Sequence, residues 1–237
     1  MWGVVANSSL LLGAVIGVRA PLSQRTIGLC LALGAGALIS ALSFELAEDA
    51  LERGGVGALA VGLAVGALGF FAGNAVVERR GARARMSPDH EGSGAAGGLA
   101  LGALLDGIPE SAALGMTLVT GGEVGLALVA AIFLSNIPES LASAANMRMG
   151  GSSARHVLLL WLAIASVCVV ACLLGYTVLG NASESLSGGI LAFAAGAVLA
   201  MLSETMFPEA YEHGGQAVGL VTVFGFALAL LISETQA

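Results

Sequence analysis

The stretch LLDGIPESAALGM at residues 104–116 reads as a membrane helix, yet it carries two acids, Asp106 and Glu110, with a proline between them. It nearly recurs as LSNIPESLASAANM at residues 134–147, where Glu139 again follows a proline. A charged residue at the centre of a membrane helix costs at least about 2.5 kcal/mol, so it indicates a functional site. The two stretches predict a polar site inside a bundle of membrane helices.

The composition of the whole chain agrees with a membrane protein. Of its 237 residues, 57% are hydrophobic and 11% charged, whereas soluble chains carry about 25% charged residues. Spanning a bilayer takes about 20 apolar residues in a helix. The chain therefore predicts an all-α polytopic membrane protein, with one transmembrane domain over residues 1–237. The eight predicted transmembrane helices are 2–18, 26–47, 56–77, 96–119, 124–146, 157–179, 186–209 and 216–233.

The arginines predict the orientation in the membrane. All nine basic residues are arginine, and only Arg53 lies on the side opposite the others. By the positive-inside rule, the arginine-rich side is cytoplasmic. We therefore expect a multi-pass protein of the inner or plasma membrane, with both termini extracytoplasmic and a cytoplasmic loop at 78–95. The lack of a basic segment before the first apolar run favours a retained helix over a signal peptide.

A second repeat relates the two ends of the chain. AGALISALSFELAEDALERGG at 35–55 aligns without a gap with AGAVLAMLSETMFPEAYEHGG at 195–215, and nine of 21 positions are identical. The two copies would cross the membrane in opposite directions, as would the two IPES stretches. Inverted repeats with broken helices at the centre are common in secondary transporters. We therefore predict that helices 1–3 and 6–8 form an inverted repeat around helices 4 and 5.

The acids of the fourth and fifth predicted helices are expected to meet. Asp106 and Glu110 are four residues apart and so project from one helix face, and Ser135 and Glu139 repeat that spacing. If the two helices pack antiparallel about a pseudo-twofold axis, Glu110 and Glu139 converge near the midplane. A cation between them would remove their repulsion.

Three of the five prolines directly precede a glutamate. Proline cannot bond to the carbonyl four residues back, and a freed carbonyl in lipid needs another partner. Lining a cation path would provide one, whereas the alternative is that each proline only kinks its helix for packing. The predicted helix breaks are Pro109, Pro138 and Pro208.

Further acids predict a pathway on either side of the site. Those of the second helix would form an entrance, and those of the seventh an exit; solvated helix ends are the alternative interpretation. The predicted pathway residues are Ser43, Glu45, Asp49, Ser203, Glu204, Glu209 and His213. Cys168 and Cys172, one turn apart, are interpreted as packed hydrophobic side chains, with a soft-metal site as the alternative.

At these residues the chain resembles the ZIP (Zrt/Irt-like) family of divalent metal transporters, as an atypical member of prokaryotic type. That family has eight helices, outside termini and an inverted repeat, and its fourth helix typically carries His-Asn-x-Pro-Glu-Gly. The matching residues here are Asp106, Gly107, Ile108, Pro109, Glu110 and Ser111. The usual histidine is thus an aspartate, and the adjacent asparagine is a glycine. The sixth helix lacks the acid with which some members complete a second metal site.

The resemblance implies one main metal site, formed by Asp106, Glu110 and Glu139, with Ser135 and Asn136 as further ligands. It implies transport of zinc toward the cytoplasm, with no prosthetic group. Carboxylates also suit harder ions, so manganese, iron(II) and cadmium stay open. The expected partners are metal cations and the lipid bilayer. A homodimer is left open.

Two other classes of function are alternatives. A passive metal channel or a metal sensor would share the same site without alternating access. An intramembrane enzyme using the paired acids would need a nucleophile with a base, an HExxH sequence or an arginine near the acids, and the sequence has none of these. The sequence also lacks the basic, aromatic-rich stretches that would predict nucleic-acid binding. The sequence therefore predicts a transporter and not an enzyme.

Overall fold

The computed structural model describes residues 1–20, 22–79, 93–119, 126–179 and 183–234, of which 94% are helical and none form a strand. The α-helices are α1 (Trp2–Arg19), α2 (Gln24–Ala41), α3 (Ala47–Arg79), α4 (Ser93–Thr117), α5 (Leu126–Met149), α6 (Ala154–Leu174), α7 (Glu184–Met201), α8 (Phe207–Gly214) and α9 (Val218–Glu234). The π-helical segments Leu42–Leu46, Gly175–Leu179 and Leu202–Met206 and a 3-10 turn, Gly215–Ala217, connect some of them.

Several helical stretches are long and apolar enough to cross a bilayer. Five qualify within the described ranges, namely Trp2–Arg19, Gln24–Val76, Leu128–Met149, Ala154–Thr177 and Glu184–Glu234. Large apolar side chains such as Phe71 and Phe224 are exposed on the surface of the bundle, as expected for helices that face lipid. The predicted class, an all-α membrane protein, is confirmed.

The chain reverses direction at Gly55, inside the long stretch that contains α3. Gly55 has φ 69° and ψ 176°, a backbone conformation that glycine adopts without strain. Leu63, after the reversal, packs on Gly196 of α7. Leu42, before it, lines a cavity together with Val198, less than one turn further along α7. The two arms of this hairpin therefore run beside the same part of α7.

A second reversal occurs at Gly215, whose φ is 63°. Gly28, near the start of α2, contacts Gly214, and Gly36, two turns later, contacts the carbonyl of Thr222. The helix after the reversal, α9, therefore runs alongside α2. Gly215 lies 160 residues after Gly55, and the π-helical segment Leu202–Met206 lies 160 residues after Leu42–Leu46.

Glycines set the close packing around the central helices α4 and α5. A Cβ at Gly13 or Gly17 of α1 would lie 2.3 or 2.2 Å from a backbone oxygen of α5, and one at Gly115 of α4 would lie 2.0 Å from the Cys172 carbonyl of α6. Small residues permit such close approach between membrane helices. As a result α1 packs on α5, and α6 packs on α4. The predicted loop 78–95 is shorter here, because α3 reaches Arg79 and α4 begins at Ser93; residues 80–92 lie outside the described residues.

Candidate functional site

The prolines of the two IPES stretches lie within continuous helices. Pro109 is inside α4 and Pro138 is inside α5, so each removes one intrahelical hydrogen bond without ending its helix. Pro208 differs, because it closely follows the π-helical segment Leu202–Met206. The backbone stays helical through Met206 and Phe207. Pro208 thus coincides with a change from π-helical to α-helical structure, without an end of the helix.

Two acids of α4 are buried. Asp106 is 5% exposed and Glu110 is 4% exposed, and their spacing places both on one face of the helix. Glu110 lines a cavity of ≈ 10 Å³ that is otherwise walled by aliphatic side chains, at about the lower limit for a single water molecule. Those side chains are Leu38, Leu42, Leu46, Leu128, Ile132 and Val198. Glu110 therefore faces the junction of α2, α5 and α7.

One face of α5 is turned toward the acids of α4. Ile132 lines the cavity with Glu110, and Asn136 and Glu139 follow Ile132 by four and seven residues. At 3.6 residues per turn, these three side chains share a face. Asn136 is 3% exposed, and its amide nitrogen has no hydrogen-bond partner within the described part of the chain. The structure thus brings Asp106, Glu110, Asn136 and Glu139 toward a common region between α4 and α5.

Ser135, predicted as a further ligand, shares a face of α5 with Glu139, four residues later, and lies close to α2. Its hydroxyl donates to the carbonyl of Ile132 at 3.1 Å. A Cβ added at Gly34 of α2 would lie 2.7 Å from the Ser135 Cα. The backbone at Ser135 therefore lies close to α2, and the hydroxyl proton of Ser135 is used within its own helix.

Cys168 of α6 belongs to the same region, although the sequence interpretation treated it as packing. Its side chain is fully buried, and a Cβ built on Gly107 would lie 2.7 Å from its sulfur. The carboxylates of Glu139, Glu110 and Asp106 are close enough to act electrostatically on the thiol. The signal in the sequence was Gly107 itself, since a glycine beside Asp106 leaves room for a neighbouring side chain.

The predicted pathway residues form two groups, one toward each end of the helical bundle. At one end, the Glu45 carboxylate accepts a hydrogen bond from the Leu128 backbone N–H at 3.1 Å, and Asp49 forms a 2.6 Å ion pair with Arg53. Ser43 is exposed there.

At the other end, the Glu204 carboxylate accepts a hydrogen bond from the Asn74 amide at 3.2 Å. Glu209 and His213 are partly buried in α8, where the His213 Cβ lies near Gly28 of α2. Ser203 is exposed, and its hydroxyl donates to the Leu199 carbonyl of its own helix.

The side chains of the site are neighbours but do not form a closed coordination shell. Within the described ranges, no group of three or more histidine, cysteine, aspartate or glutamate side chains is arranged to hold a metal ion. Carboxylate oxygens, an amide and a thiol are nevertheless all donors to divalent cations. What the arrangement offers chemically is a buried, acidic region that a cation would neutralise.

Comparison with known proteins does not assign the chain to a family. No family model matches the chain, and no curated protein matches it.

Proposed function

We propose that this protein carries divalent metal cations across a membrane toward the cytoplasm, with zinc as the expected ion and manganese, iron(II) or cadmium as the other candidates. The observation that carries the proposal is the burial of Asp106 and Glu110 in a helical membrane protein, opposite the face of α5 that bears Asn136 and Glu139. Burying carboxylates in a membrane is costly, and a bound cation would lower that cost. The direction of transport and the choice of zinc rest on the resemblance to the ZIP family.

The transporter architecture in this proposal has eight spans and an inverted repeat. Its support is a set of features spaced 160 residues apart: the π-helical segments Leu42–Leu46 and Leu202–Met206, and the reversals at Gly55 and Gly215. The helix contacts correspond as well, because α2 packs on α9 as α7 packs on α3, and α1 packs on α5 as α6 packs on α4. Each reversal would divide one long helical stretch into two spans. The arginine distribution would place both termini outside.

Alternating access fits the surroundings of Glu110. The aliphatic side chains of its cavity include Leu42 and Leu46, which flank Glu45, and Leu128, whose backbone bonds to Glu45. An aliphatic layer thus separates the buried acid from the Glu45 carboxylate. In the proposed cycle this layer closes one entrance to the site, and its separation opens that entrance.

Flux into proteoliposomes tests the proposal. A metal-sensing dye is enclosed, and zinc, cadmium, manganese, iron(II) and magnesium are offered separately to the wild type and to Glu110→Gln/Glu139→Gln. Glu184→Gln, at the exposed start of α7, is the matched control. We expect saturable flux in the wild type and the control, and little flux in the double variant.

Two results would reject the proposal. One is the absence of flux for every metal by a folded wild-type protein. The other is undiminished flux in Glu110→Gln/Glu139→Gln, which would separate transport from the acids. Flux that rises linearly with metal concentration would favour a channel over a carrier.

A further inference from the structure

Cys168 is placed directly over the acidic turn of α4. Its side chain is fully buried, and its sulfur lies so close to α4 that a Cβ on Gly107 would come within 2.7 Å of it. Gly107 follows Asp106 in the chain and lies three residues before Glu110. The absence of a side chain at position 107 is what lets a thiol from α6 reach the same turn as the two acids.

The environment of this thiol is that of the proposed site. The carboxylates of Glu139, Glu110 and Asp106 are close enough to act electrostatically on it. These acids come from two helices, α4 and α5, while the thiol comes from α6. Three helices therefore contribute donors to one region.

An independent observation at this region also indicates a ligand. Asn136 is 3% exposed, and in the described part of the chain its amide nitrogen has no hydrogen-bond partner. Leaving a buried polar group without a partner costs about 1–3 kcal/mol. Asn136 shares a face of α5 with Ile132, which lines the Glu110 cavity. A water bound to the ion would accept a hydrogen bond from this nitrogen, and the ion itself would bind the amide oxygen.

Cys172 provides an internal comparison, because it lies one turn further along α6. A Cβ on Gly3 of α1 would lie 2.5 Å from its sulfur. Cys172 lines a separate cavity of ≈ 340 Å³ together with Trp2 and Tyr176. The two cysteines therefore have different surroundings despite their spacing.

We propose that Cys168 is a ligand of the transported ion and gives the site a preference for thiophilic divalent ions, zinc and cadmium, over hard ions such as manganese and magnesium. Thiolate ligands select softer metals, whereas an all-carboxylate site suits harder ones. The thiol releases its proton to water when the metal binds. The ligand-type side chains of the described residues are not gathered around one point, so binding of the ion would require them to move closer together. This inference rests on the proposed function.

The test is a metal-binding measurement that does not depend on flux. Cys30→Ser/Cys172→Ser leaves Cys168 as the only cysteine of the three. X-ray absorption of this variant loaded with zinc should show a Zn–S distance of about 2.3 Å. With cadmium, the wild type and Cys30→Ser/Cys172→Ser should both show the ultraviolet sulfur-to-cadmium charge-transfer band, and Cys168→Ser should lose it.

Flux measured with zinc and manganese in competition gives the selectivity of the site. In Cys168→Ser, the preference for zinc over manganese should fall by at least about tenfold, the lower limit seen for altered metal surroundings, and Cys172→Ser should retain the wild-type preference. Zinc bound by oxygen and nitrogen alone in Cys30→Ser/Cys172→Ser would overturn the inference, whether or not Cys168→Ser folds. Wild-type protein that shows the Zn–S distance but moves no metal would reject transport and leave the thiol ligand intact.

Discussion

The Glu45 carboxylate accepts a hydrogen bond from the backbone N–H of Leu128 at 3.1 Å. This bond joins the π-helical segment after α2 to the beginning of α5, across 83 residues of chain. Leu128 also lines the small cavity that Glu110 lines. One residue thus links an acid near the end of the bundle to the aliphatic layer above the buried acid.

Removing this bond should loosen the aliphatic layer. A hydrogen bond of this kind contributes about 1 kcal/mol, so Glu45→Ala should make the open form about fivefold more populated. Glu45→Gln keeps an acceptor oxygen and should resemble the wild type. The measurement is the labelling rate of Leu42→Cys by a membrane-impermeant maleimide, in a background with the native cysteines replaced by serine. Equal rates in the three proteins would show that the bond does not hold the layer closed.

The glycine contacts between α2 and α9 and between α3 and α7 should be required for stability. A Cβ at Gly36 would lie 2.0 Å from the Thr222 carbonyl oxygen, and one at Gly196 would lie 2.2 Å from that of Leu63. Gly36→Ala and Gly196→Ala should each destabilise the protein by about 1–3 kcal/mol. Gly189→Ala, also in α7 but with nothing within 4 Å, should be neutral or stabilising. Unfolding in mixed micelles measures these differences, and similar losses for Gly189→Ala and Gly196→Ala would contradict the packing described.

The three prolines should not be equivalent. Pro138→Ala would restore the donor for the Leu134 carbonyl within α5 and should stabilise the helix, since an interior proline costs about 3 kcal/mol. If that carbonyl helps to bind the ion, metal flux should fall about fivefold, the equivalent of one lost interaction of about 1 kcal/mol. Pro208→Ala, at an exposed position after the π-helical segment Leu202–Met206, should change flux less. Measuring flux and unfolding for both variants separates the effect on helix stability from the effect on ion binding. Unchanged flux in Pro138→Ala would favour a packing role for the proline.

The orientation predicted from the arginines can be tested on described residues. Ser152, between α5 and α6, should face the cytoplasm, and Ser183, before α7, should face outside. In intact cells carrying a cysteine-free background, an impermeant maleimide should label Ser183→Cys. It should reach Ser152→Cys only after permeabilisation. The reverse pattern would invert the topology and with it the assignment of entrance and exit.

The helices were predictable from the sequence because long apolar runs leave few other structures open to a chain in a membrane. The predicted span 2–18 is α1 (Trp2–Arg19), and 216–233 is close to α9 (Val218–Glu234). The ends of the second and seventh spans were less predictable. Helical structure continues beyond residue 47 as far as the reversal at Gly55, since charged residues such as Glu48 form helix as readily as apolar ones do.

Other features of the site could not be predicted from sequence patterns. A π-helical segment such as Leu42–Leu46 changes which carbonyl each amide bonds but leaves the apolar pattern unaltered. The position of Cys168 depends on how α6 packs against α4, and spacing within α6 alone does not encode that contact. Ser135 matches Asp106 in the repeat, and its backbone lies close to Gly34 of α2, a contact that the repeat does not encode; its role as a ligand stays a prediction.

The most direct test of the account is the location of the metal. A crystal structure of the protein loaded with cadmium, with data collected to record anomalous scattering, would show where the ion binds. The account predicts an anomalous peak between α4 and α5, bonded to carboxylate oxygens of Asp106, Glu110 and Glu139. A peak confined to the acids at the helix ends, such as Glu48 and Glu52, with none between α4 and α5, would contradict it.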